Sequence, residues 1–413
     1  MNDKKCAASD RVCRWEDIDF RKAEACVIKL QRRISKAWAN DEFDKAEFLQ
    51  HRMIHSFYAK ALSVRTVTTS KGKVTPGVDG IIGKDMTPEE KWELLMFLQR
   101  RGYSSKPLRR IEVSKPNGKM RPLSIPTVRD RAMQTLYKLA LEPIAEVVGD
   151  PHSYGFRTGR STRQAMMQCI EILSAPEQPE WILECDIQSC FDNINHEWIM
   201  KRIPMDKKIL FKFLKCGFVQ DDLLYPTNAG IPQGSCISPT ICNMVLDGLE
   251  IMLAKEFCNS VQFVRYADDF VIIGSNPDLL KSRVLTAVET FMAERGLHLS
   301  SEKTVVTHID CGFDFLGWNV KRTGSKLLLT PSQKNLLAFT DKVFRLVECN
   351  RGSSTDWLCD ILKPVISGWI CYHKDIVMPY VLYDVEFDIV NCLWQITRNS
   401  KLVSFVGNLF RTV

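Results

Sequence analysis

Two adjacent aspartates, Asp268 and Asp269, stand between two apolar segments in the stretch FVRYADDFVIIG. The flanking segments Phe263–Tyr266 and Phe270–Ile273 are rich in aromatic and β-branched residues, which is typical of the arms of a buried hairpin. Adjacent carboxylates repel each other and resist desolvation, so a local turn motif explains one aspartate better than two. The pair therefore indicates a bound partner of positive charge.

A second acid cluster, Asp186 with Asp192, lies at the end of the apolar segment Ile182–Ile187, which we predict to be a strand. Two divalent ions about 4 Å apart stabilise the attacking and leaving oxygens in phosphoryl transfer, and they need carboxylates from separate strands that meet at one point. The sequence therefore predicts that Asp186 and Asp268 are ligands of such ions.

Helices and strands must bring these acids together, and the pattern predicts an α+β core between helical ends. Helices are predicted around Val27–Trp38 and at Asp44–Ala61, Pro88–Arg101, Asp130–Val148, Thr240–Phe257, Asp278–Arg295 and most of the chain after Pro331. Besides the hairpin at the acid pair and the strand before Asp186, strands are predicted at Ile111–Val113 and Leu123–Ile125, around an Asn117-Gly118 turn, and at FDFLGWNV.

Charge is distributed unevenly along the 413 residues, although the net charge is only +7. The segment Arg100–Arg131 holds ten Lys and Arg against two acids, which indicates either a polyanion-binding surface or a solvated charged face.

The 15 cysteines show no zinc-ligand spacing and no disulfide framework. No apolar run approaches the roughly 18 residues that a membrane span needs. We expect a protein with reduced thiols in the cytoplasm, including a bacterial nucleoid, and do not exclude an organelle.

The order of motifs resembles a reverse transcriptase of the group II intron type. The matching motifs are KxNGKxRPLSIPTxxDR (115–131), HSYGFRTGRST (152–162), DIQSCFDNINH (186–196), GIPQGSCISP (230–239), RYADD (265–269), LSSEKT (299–304) and FLGW (315–318). TxxKGKxTPGVDG (68–80) resembles an extra N-terminal block of that group, and LKPVISGWICYH (362–373) resembles its thumb, the maturase domain.

The resemblance implies a right-hand polymerase with fingers, a palm with an antiparallel sheet that carries the YADD hairpin, and a helical thumb. The implied domains are a helical N-terminal extension (1–65), fingers (66–180), palm (181–325) and a helical thumb or maturase-like domain (326–413).

The resemblance also implies the catalytic and metal-binding residues. Asp186 and Asp268 resemble the two metal-binding aspartates, Asp269 is the supporting neighbour, and Ile187 is a further metal contact. The implied cofactor is a pair of Mg²⁺ ions, with Mn²⁺ as a substitute. Backbone atoms near Ile187–Cys190 are expected to line the triphosphate.

The implied nucleotide-binding residues come from several motifs. Phe191 resembles a steric gate that leaves no room for a 2′-hydroxyl. Gln233 and Gly234 resemble the loop that contacts the incoming nucleotide. Lys115 and Arg121 resemble residues that clamp its phosphates. Lys303 lies where a lysine can approach the leaving pyrophosphate.

Template and primer contacts are expected from two further motifs. Arg157 and Arg160 are candidates for template phosphate, with a surface role as the alternative, and FLGW (Phe315, Leu316, Gly317 and Trp318) is expected to hold the primer end. In the thumb, Trp369 and Tyr372 are expected in the core rather than stacked on RNA. His196 and His373 receive no catalytic role.

The implied function is RNA-directed DNA polymerase activity of an intron-encoded retroelement protein, with maturase activity as an addition. The implied partners are an RNA template, a DNA or RNA primer and dNTPs, with group II intron RNA and a second copy of the chain as further options and no membrane. The sequence departs from many relatives because no Cys/His set of an endonuclease follows the thumb, so we do not expect it to cut DNA.

Two alternatives stay open. One is a host-domesticated reverse transcriptase in CRISPR spacer capture, phage defence or repair. The other is a mainly RNA-binding maturase, which would be expected to have lost its acids.

Overall fold

The computed structural model describes residues 14–114, 118, 120–176 and 179–411. Lys115 and Asn117, both named in the predictions above, lie outside the described residues. The described helices are α1 (Phe20–Ala39), α2 (Phe43–His55), α3 (Phe57–Thr69), α4 (Pro88–Phe97), α5 (Val128–Val148), α6 (Thr162–Leu173), α7 (Cys190–Asn193), α8 (His196–Arg202), α9 (Lys207–Leu214), α10 (Ser238–Leu246), α11 (Leu249–Glu256), α12 (Pro277–Leu279), α13 (Leu285–Ala293), α14 (Gln333–Cys349), α15 (Thr355–His373), α16 (Pro379–Thr397) and α17 (Ser400–Arg411).

The strands form three sheets in the described part of the chain. They are β1 (Leu108–Ser114), β2 (Met120–Ile125), β3 (Trp181–Asp186), β4 (Phe218–Gln220), β5 (Leu223–Tyr225), β6 (Val261–Tyr266), β7 (Asp269–Gly274), β8 (Val305–His308), β9 (Phe313–Phe315), β10 (Trp318–Thr323) and β11 (Lys326–Pro331).

The chain divides into two compact units. The first consists of Met1–Thr158, Ile187–Met252 and Thr286–Ser300. The second consists of Gly159–Asp186, Leu253–Leu285 and Ser301–Val413.

Helix α5 lies at the centre of the helical part of the first unit. Pro143 inside α5 has no N–H, so the Leu139 carbonyl loses its usual helical donor. The Gln31 side chain of α1 donates to this carbonyl at 3.0 Å, and Ser35 donates to the Pro143 carbonyl at 3.1 Å. These two bonds fix α1 along α5.

The basic hairpin predicted around residue 118 is present in the first unit. Strands β1 and β2 pair antiparallel, with Arg109 opposite Ile125, and β4 joins β1 in parallel to give the sheet order β2-β1-β4-β5. The single helix predicted over Thr240–Phe257 is wrong, because Gly248 has a φ of 93° and separates α10 from α11.

The second unit contains an antiparallel sheet in the order β6-β7-β3-β8. Its central residues are almost fully buried, among them Phe270 and Ile272 of β7 and Ile182 and Leu183 of β3. The prediction that Ile182–Ile187 is a strand that ends at an acid is confirmed, since β3 ends at Asp186.

The prediction of one continuous strand over FDFLGWNV is wrong. Leu316 and Gly317 both have a positive φ, 51° and 84°, and reverse the chain so that Phe315 pairs with Trp318 across a two-residue turn. The segment is a hairpin of β9 and β10, and β11 extends it to a three-stranded sheet. The helical character predicted after Pro331 is confirmed by α14–α17.

Among the described residues, none of the helices combines the length and the apolar character needed to cross a bilayer.

Candidate active site

The register of the second unit's sheet brings the candidate acids together. Asp186, the last residue of β3, pairs directly with Asp269, the first residue of β7. Opposite residues of antiparallel strands project from the same face with Cβ atoms about 5 Å apart. Asp268 occupies the two-residue turn between Tyr266 and Asp269. Three carboxylates that are distant in sequence therefore share one end of the sheet.

The turn that carries Asp268 has an unusual backbone. Ala267 has a φ of 60°, a conformation that glycine adopts readily and alanine adopts at a cost. Tight two-residue hairpins require such a conformation, and burial of Ala267 leaves little room for an alternative. The turn thus fixes Asp268 next to the β3–β7 pair.

The carboxylates repel one another. Desolvation, followed by the negative charges of Asp268, Asp186 and Glu184, raises the pKa of Asp269 to about 7. Asp269 keeps solvent-exposed surface, but burial and all three charges act in the same direction. A cation at this point would reverse the effect.

Lys303 already contributes one positive charge. Its Nζ atom lies 3.0 Å from Asp186 Oδ2, and both side chains are well exposed. An exposed pair of this kind stabilises the fold little, which leaves Asp186 able to exchange its partner.

Glu184 is a neighbour that sequence reasoning missed. It lies two residues before Asp186 and therefore on the same face of β3, where it accepts a hydrogen bond from Thr307 at 2.7 Å. Burial raises the pKa of Glu184, and the bond from Thr307 partly offsets this. The alternation of Glu184 and Asp186 in the strand was the signal that could have identified it.

The next question is whether the residues present could hold a metal ion. No group of three His, Cys, Asp or Glu side chains in the described ranges forms a complete metal-binding cluster. Hard cations such as Mg²⁺ are commonly held by one or two carboxylates, and substrate phosphates and water complete the shell. The hard oxygen donors of Asp186 and Asp268 fit such an ion.

Phe191 is held by the loop that contains Gln233. The Ile231 amide donates to the Phe191 carbonyl at 2.6 Å. Gly230 has a φ of 80°, and a Cβ atom there would lie 2.5 Å from the Asp192 carbonyl oxygen, so only glycine fits. The Phe191 ring is buried and contributes, with Arg110 and Gln233, to a pocket of about 160 Å³.

The same loop is fastened to β2. Arg121 Nε donates to Gln233 Oε1 at 2.7 Å, and the Ser124 amide donates to the Gln233 carbonyl at 2.7 Å. Gly234 has a φ of 113°, and its close backbone neighbour is the Ser124 carbonyl, 3.0 Å from where a Cβ would stand. Phe191, Gln233, Gly234 and Arg121 are thus joined within the first unit. Ile187, just before this segment, forms an isolated bridge with Leu299.

The prediction that Arg157 contacts template phosphate is wrong. Its side chain is 1% exposed, and its guanidinium pairs with Asp247 at 2.6 Å and with Glu146 at 3.3 Å. A buried and neutralised arginine braces its own unit and cannot reach a solvated phosphate. Arg160 is partly exposed and stays a candidate.

The FLGW prediction needs a correction. The side chains of Phe315 and Trp318 are 1% and 0% exposed, so they belong to the core and cannot hold a primer. The alternation of buried strand residues explains this, because both residues flank the turn on the inner face. Leu316 and Gly317 are partly exposed and remain the candidates for contact.

The two histidines are both buried. His196 Nε2 lies 2.7 Å from the Gly230 carbonyl oxygen, and His373 Nε2 lies 3.1 Å from Asn335 Oδ1. Trp369 stacks on Phe339 in the core, as expected. Tyr372 differs from the expectation, since it is 37% exposed.

Comparison with known sequence families agrees with this arrangement. Residues 113–320 match the family "Reverse transcriptase (RNA-dependent DNA polymerase)". Residues 15–98 match the "N-terminal domain of reverse transcriptase", and residues 336–401 match the "Group II intron, maturase-specific domain".

Several proteins are similar to this chain in sequence. The chain is 29% identical to Protein YkfC of Escherichia coli, over 73% of this chain and 90% of that protein. It is 29% identical to Maturase-like protein 1 of Euglena gracilis, over 87% of this chain and 77% of that protein. It is 26% identical to Group II intron-encoded protein LtrA of Lactococcus lactis, over 69% of this chain and 60% of that protein.

The chain belongs to the reverse transcriptase family and is of the group II intron type. It is an RNA-directed DNA polymerase with a palm and fingers, depends on divalent metal, and binds an RNA template and intron RNA. The matches favour this assignment over a host-domesticated enzyme or a purely RNA-binding maturase.

Proposed function

We propose that Asp186 and Asp268 hold two Mg²⁺ ions, that Asp269 supports them, and that the carbonyl of Ile187 is an additional ligand. The observation that carries this proposal is the register of β3 and β7, which pairs Asp186 with Asp269 beside the turn of Asp268. Bound Mg²⁺ supplies positive charge that stabilises the attacking and leaving oxygens of nucleotidyl transfer. Mn²⁺ offers the same charge and is the expected substitute.

The chain's own residues bind and orient the incoming deoxynucleotide in this proposal. Arg121 uses the guanidinium nitrogens not bonded to Gln233 to contact the phosphates, together with Lys115. Phe191, rigidly held by Ile231, excludes a 2′-hydroxyl, and Gln233 with Gly234 lines the nucleotide. Lys303, which already contacts Asp186, is suited to donate a proton to the leaving pyrophosphate.

The proposed polymerase activity also implies the partners of the chain. The chain extends a DNA or RNA primer with dNTPs, and the Leu316–Gly317 turn contacts the primer end while Arg160 contacts template phosphate. We propose the division into an N-terminal extension (1–65), fingers (66–180), palm (181–325) and thumb (326–413), and the maturase-specific match over residues 336–401 supports the thumb. A homodimer and a cytoplasmic location complete the proposal, and the free thiols of the described cysteines support the latter.

Primer extension on poly(rA)/oligo(dT) tests the metal site. We expect the wild type to incorporate dTTP with Mg²⁺ and not without it, and Asp268→Ala with Asp269→Ala to abolish extension because the ligands are lost. RNA affinity should stay within a few-fold of the wild type, since the acids do not bind RNA. Extension by the double variant would overturn the assignment.

The gate is tested by the choice between dTTP and rUTP on the same template. Phe191→Ala removes the ring and should raise rUTP incorporation relative to dTTP by about tenfold or more, a discrimination of about 1.4 kcal/mol or above. Phe218→Ala, which changes another aromatic residue of the same pocket, serves as the control. An unchanged preference in Phe191→Ala would remove the gate assignment.

A further inference from the structure

The turn between β9 and β10 is strained and must be held. Leu316 has a φ of 51°, a conformation that costs about 1–2 kcal/mol for a residue with a side chain. A two-residue turn with a positive φ at both positions is suited to Asn-Gly or Gly-Gly, not to leucine. Contacts from elsewhere in the second unit must therefore stabilise it.

Two helices of the maturase domain supply these contacts. Tyr372 Oη, from α15, donates to the Leu316 carbonyl oxygen at 2.8 Å. The amide of Ser332, the N-cap of α14, donates to the Gly317 carbonyl oxygen at 3.0 Å. Both carbonyl groups of the turn are thus bonded to the helices α14–α17, which we call the thumb helices.

The Tyr372 ring is itself fixed. It stacks on the buried Trp318 ring, with centroids 4.4 Å apart and an interplanar angle of 7°. Trp318 is the residue that follows the turn, so Tyr372 contacts the hairpin through both its ring and its hydroxyl. The stacked ring therefore holds the hydroxyl in position to bond with the Leu316 carbonyl.

Asn335 completes the junction behind the turn. Its Oδ1 accepts a hydrogen bond from Trp369 Nε1 at 2.8 Å and one from His373 Nε2. A Cβ atom on Gly317 would lie 3.0 Å from Asn335 Nδ2, so the amide group packs directly against the turn. Residues of α14 and α15 therefore enclose the turn from one side.

Tyr372 also lies close to Tyr266 in the β6–β7 hairpin around Asp268, which we call the catalytic hairpin. Burial raises the pKa of Tyr372, a hydrogen bond with the Thr162 side chain opposes this shift, and the phenol of Tyr266 adds to it. Tyr266 is the last residue of β6 and stands two residues before Asp268. Tyr372 thus contacts the Leu316–Gly317 turn and lies near Tyr266 of the same unit.

We propose that Tyr372 is a positioning residue for the primer end. It ties the Leu316–Gly317 turn to the thumb helices, so that nucleic acid held by the thumb keeps its 3′ end aligned with the catalytic hairpin. The proposal rests on the primer contact assigned to this turn above. Loss of the tie affects how long the primer stays aligned through successive additions and leaves the chemistry of one addition unchanged.

Tyr372→Phe in the full chain is the test, because it removes one hydroxyl and keeps the stacked ring. Tyr383→Phe, at an exposed tyrosine of α16, is the matched control. Product lengths are measured in a single binding cycle with an excess of unlabelled primer–template as trap. KM values for primer–template and for dTTP, the rate of single dTTP addition and the thermal midpoint are measured alongside.

For Tyr372→Phe we expect products about fivefold shorter and a KM for primer–template about fivefold higher, the effect of losing about one net hydrogen bond. The KM for dTTP and the single-addition rate should stay within about twofold, which a general loss of structure would not produce. Gly317→Ala, which pushes the same turn against Asn335, should change the same two quantities.

Product lengths of Tyr372→Phe equal to those of Tyr383→Phe would overturn the proposal. So would an equal loss in single addition and in product length, because that pattern indicates a structural role only. Failure of the proposed function is distinguishable, since in that case the wild type or Asp268→Ala with Asp269→Ala gives the unexpected result and Tyr372 is not the cause.

Discussion

Two hairpin turns of the second unit use similar backbone strain and are held in different ways. In the Ala267–Asp268 turn, which we call the catalytic turn, only Ala267 has a positive φ. In the Leu316–Gly317 turn, which we call the primer turn, both residues do. The buried Arg265 donates to the Ala267 carbonyl at 3.3 Å from within the same hairpin. The primer turn is instead bonded to Tyr372 of α15 and to Ser332, the N-cap of α14.

The source of the supporting contacts determines which turn can respond to nucleic acid. A turn braced by its own hairpin depends less on the thumb helices, which suits acids that we propose to hold metal. A turn braced by separate helices follows those helices when they shift. We infer that the catalytic turn is the fixed reference and that the primer turn is the adjustable element.

Removing the hydrogen bond from Arg265 to Ala267 should give the largest effect on activity. Arg265→Lys keeps a positive charge but loses the planar fork that reaches Ala267, so the acids should shift and the single-addition rate should fall by about 100-fold. Rapid-quench dTTP incorporation measures this rate, and circular dichroism checks that the variant is folded. A rate within about twofold of the wild type would show that the catalytic turn does not depend on this brace.

The two regions should also differ in how pH changes stability. His373 in the thumb network is fully buried, and burial lowers its pKa to about 4. Between about pH 6.5 and pH 4, His373 is protonated in the unfolded chain and neutral in the folded chain. The free energy of unfolding should therefore fall as the pH is lowered through this range, by at most about 3 kcal/mol.

Asp269 at the catalytic turn should change the free energy of unfolding with pH in the opposite direction. Its pKa of about 7 in the folded chain lies above the ordinary 3.8, so the folded chain binds the extra proton and stability is lost as pH rises through 7. Urea unfolding between pH 4 and pH 8 should therefore show a flatter acid limb for His373→Gln and greater stability above pH 7 for Asp269→Asn. If the free energy of unfolding depends on pH in the same way for both variants and the wild type, His373 and Asp269 do not have these opposite effects.

Relief of backbone strain at the two turns should give the smallest effect, a small change in the free energy of unfolding. Ala267→Gly and Leu316→Gly each remove a cost of about 1–2 kcal/mol and add about 0.5–1 kcal/mol of unfolded-state entropy. Each variant should thus be at most about 1.5 kcal/mol more stable, with Leu316→Gly the lesser because it also loses side-chain contacts. Thermal unfolding measures both, and destabilisation by more than about 1 kcal/mol would mean that these turns carry no removable strain.

The local sequence pattern was enough to predict the strands around the acids. Alternating apolar residues predicted β3 and the YADD hairpin, because half-buried strands require that period. The same reasoning failed at FDFLGWNV, since a leucine with positive φ gives no sequence signal of a turn. It also failed at Thr240–Phe257, where Gly248 is compatible with either a helix or a break.

The sequence by itself determined the family, the strand that ends at Asp186, and the acid pair at residues 268 and 269, because chemistry of this kind needs particular residue types at particular places. Only the tertiary structure decided that Arg157 is buried against Asp247, that Phe315 and Trp318 belong to the core, and that Tyr372 meets Leu316. These facts depend on contacts between residues that are up to 90 positions apart, and no local pattern encodes which distant side chain will fill a given space.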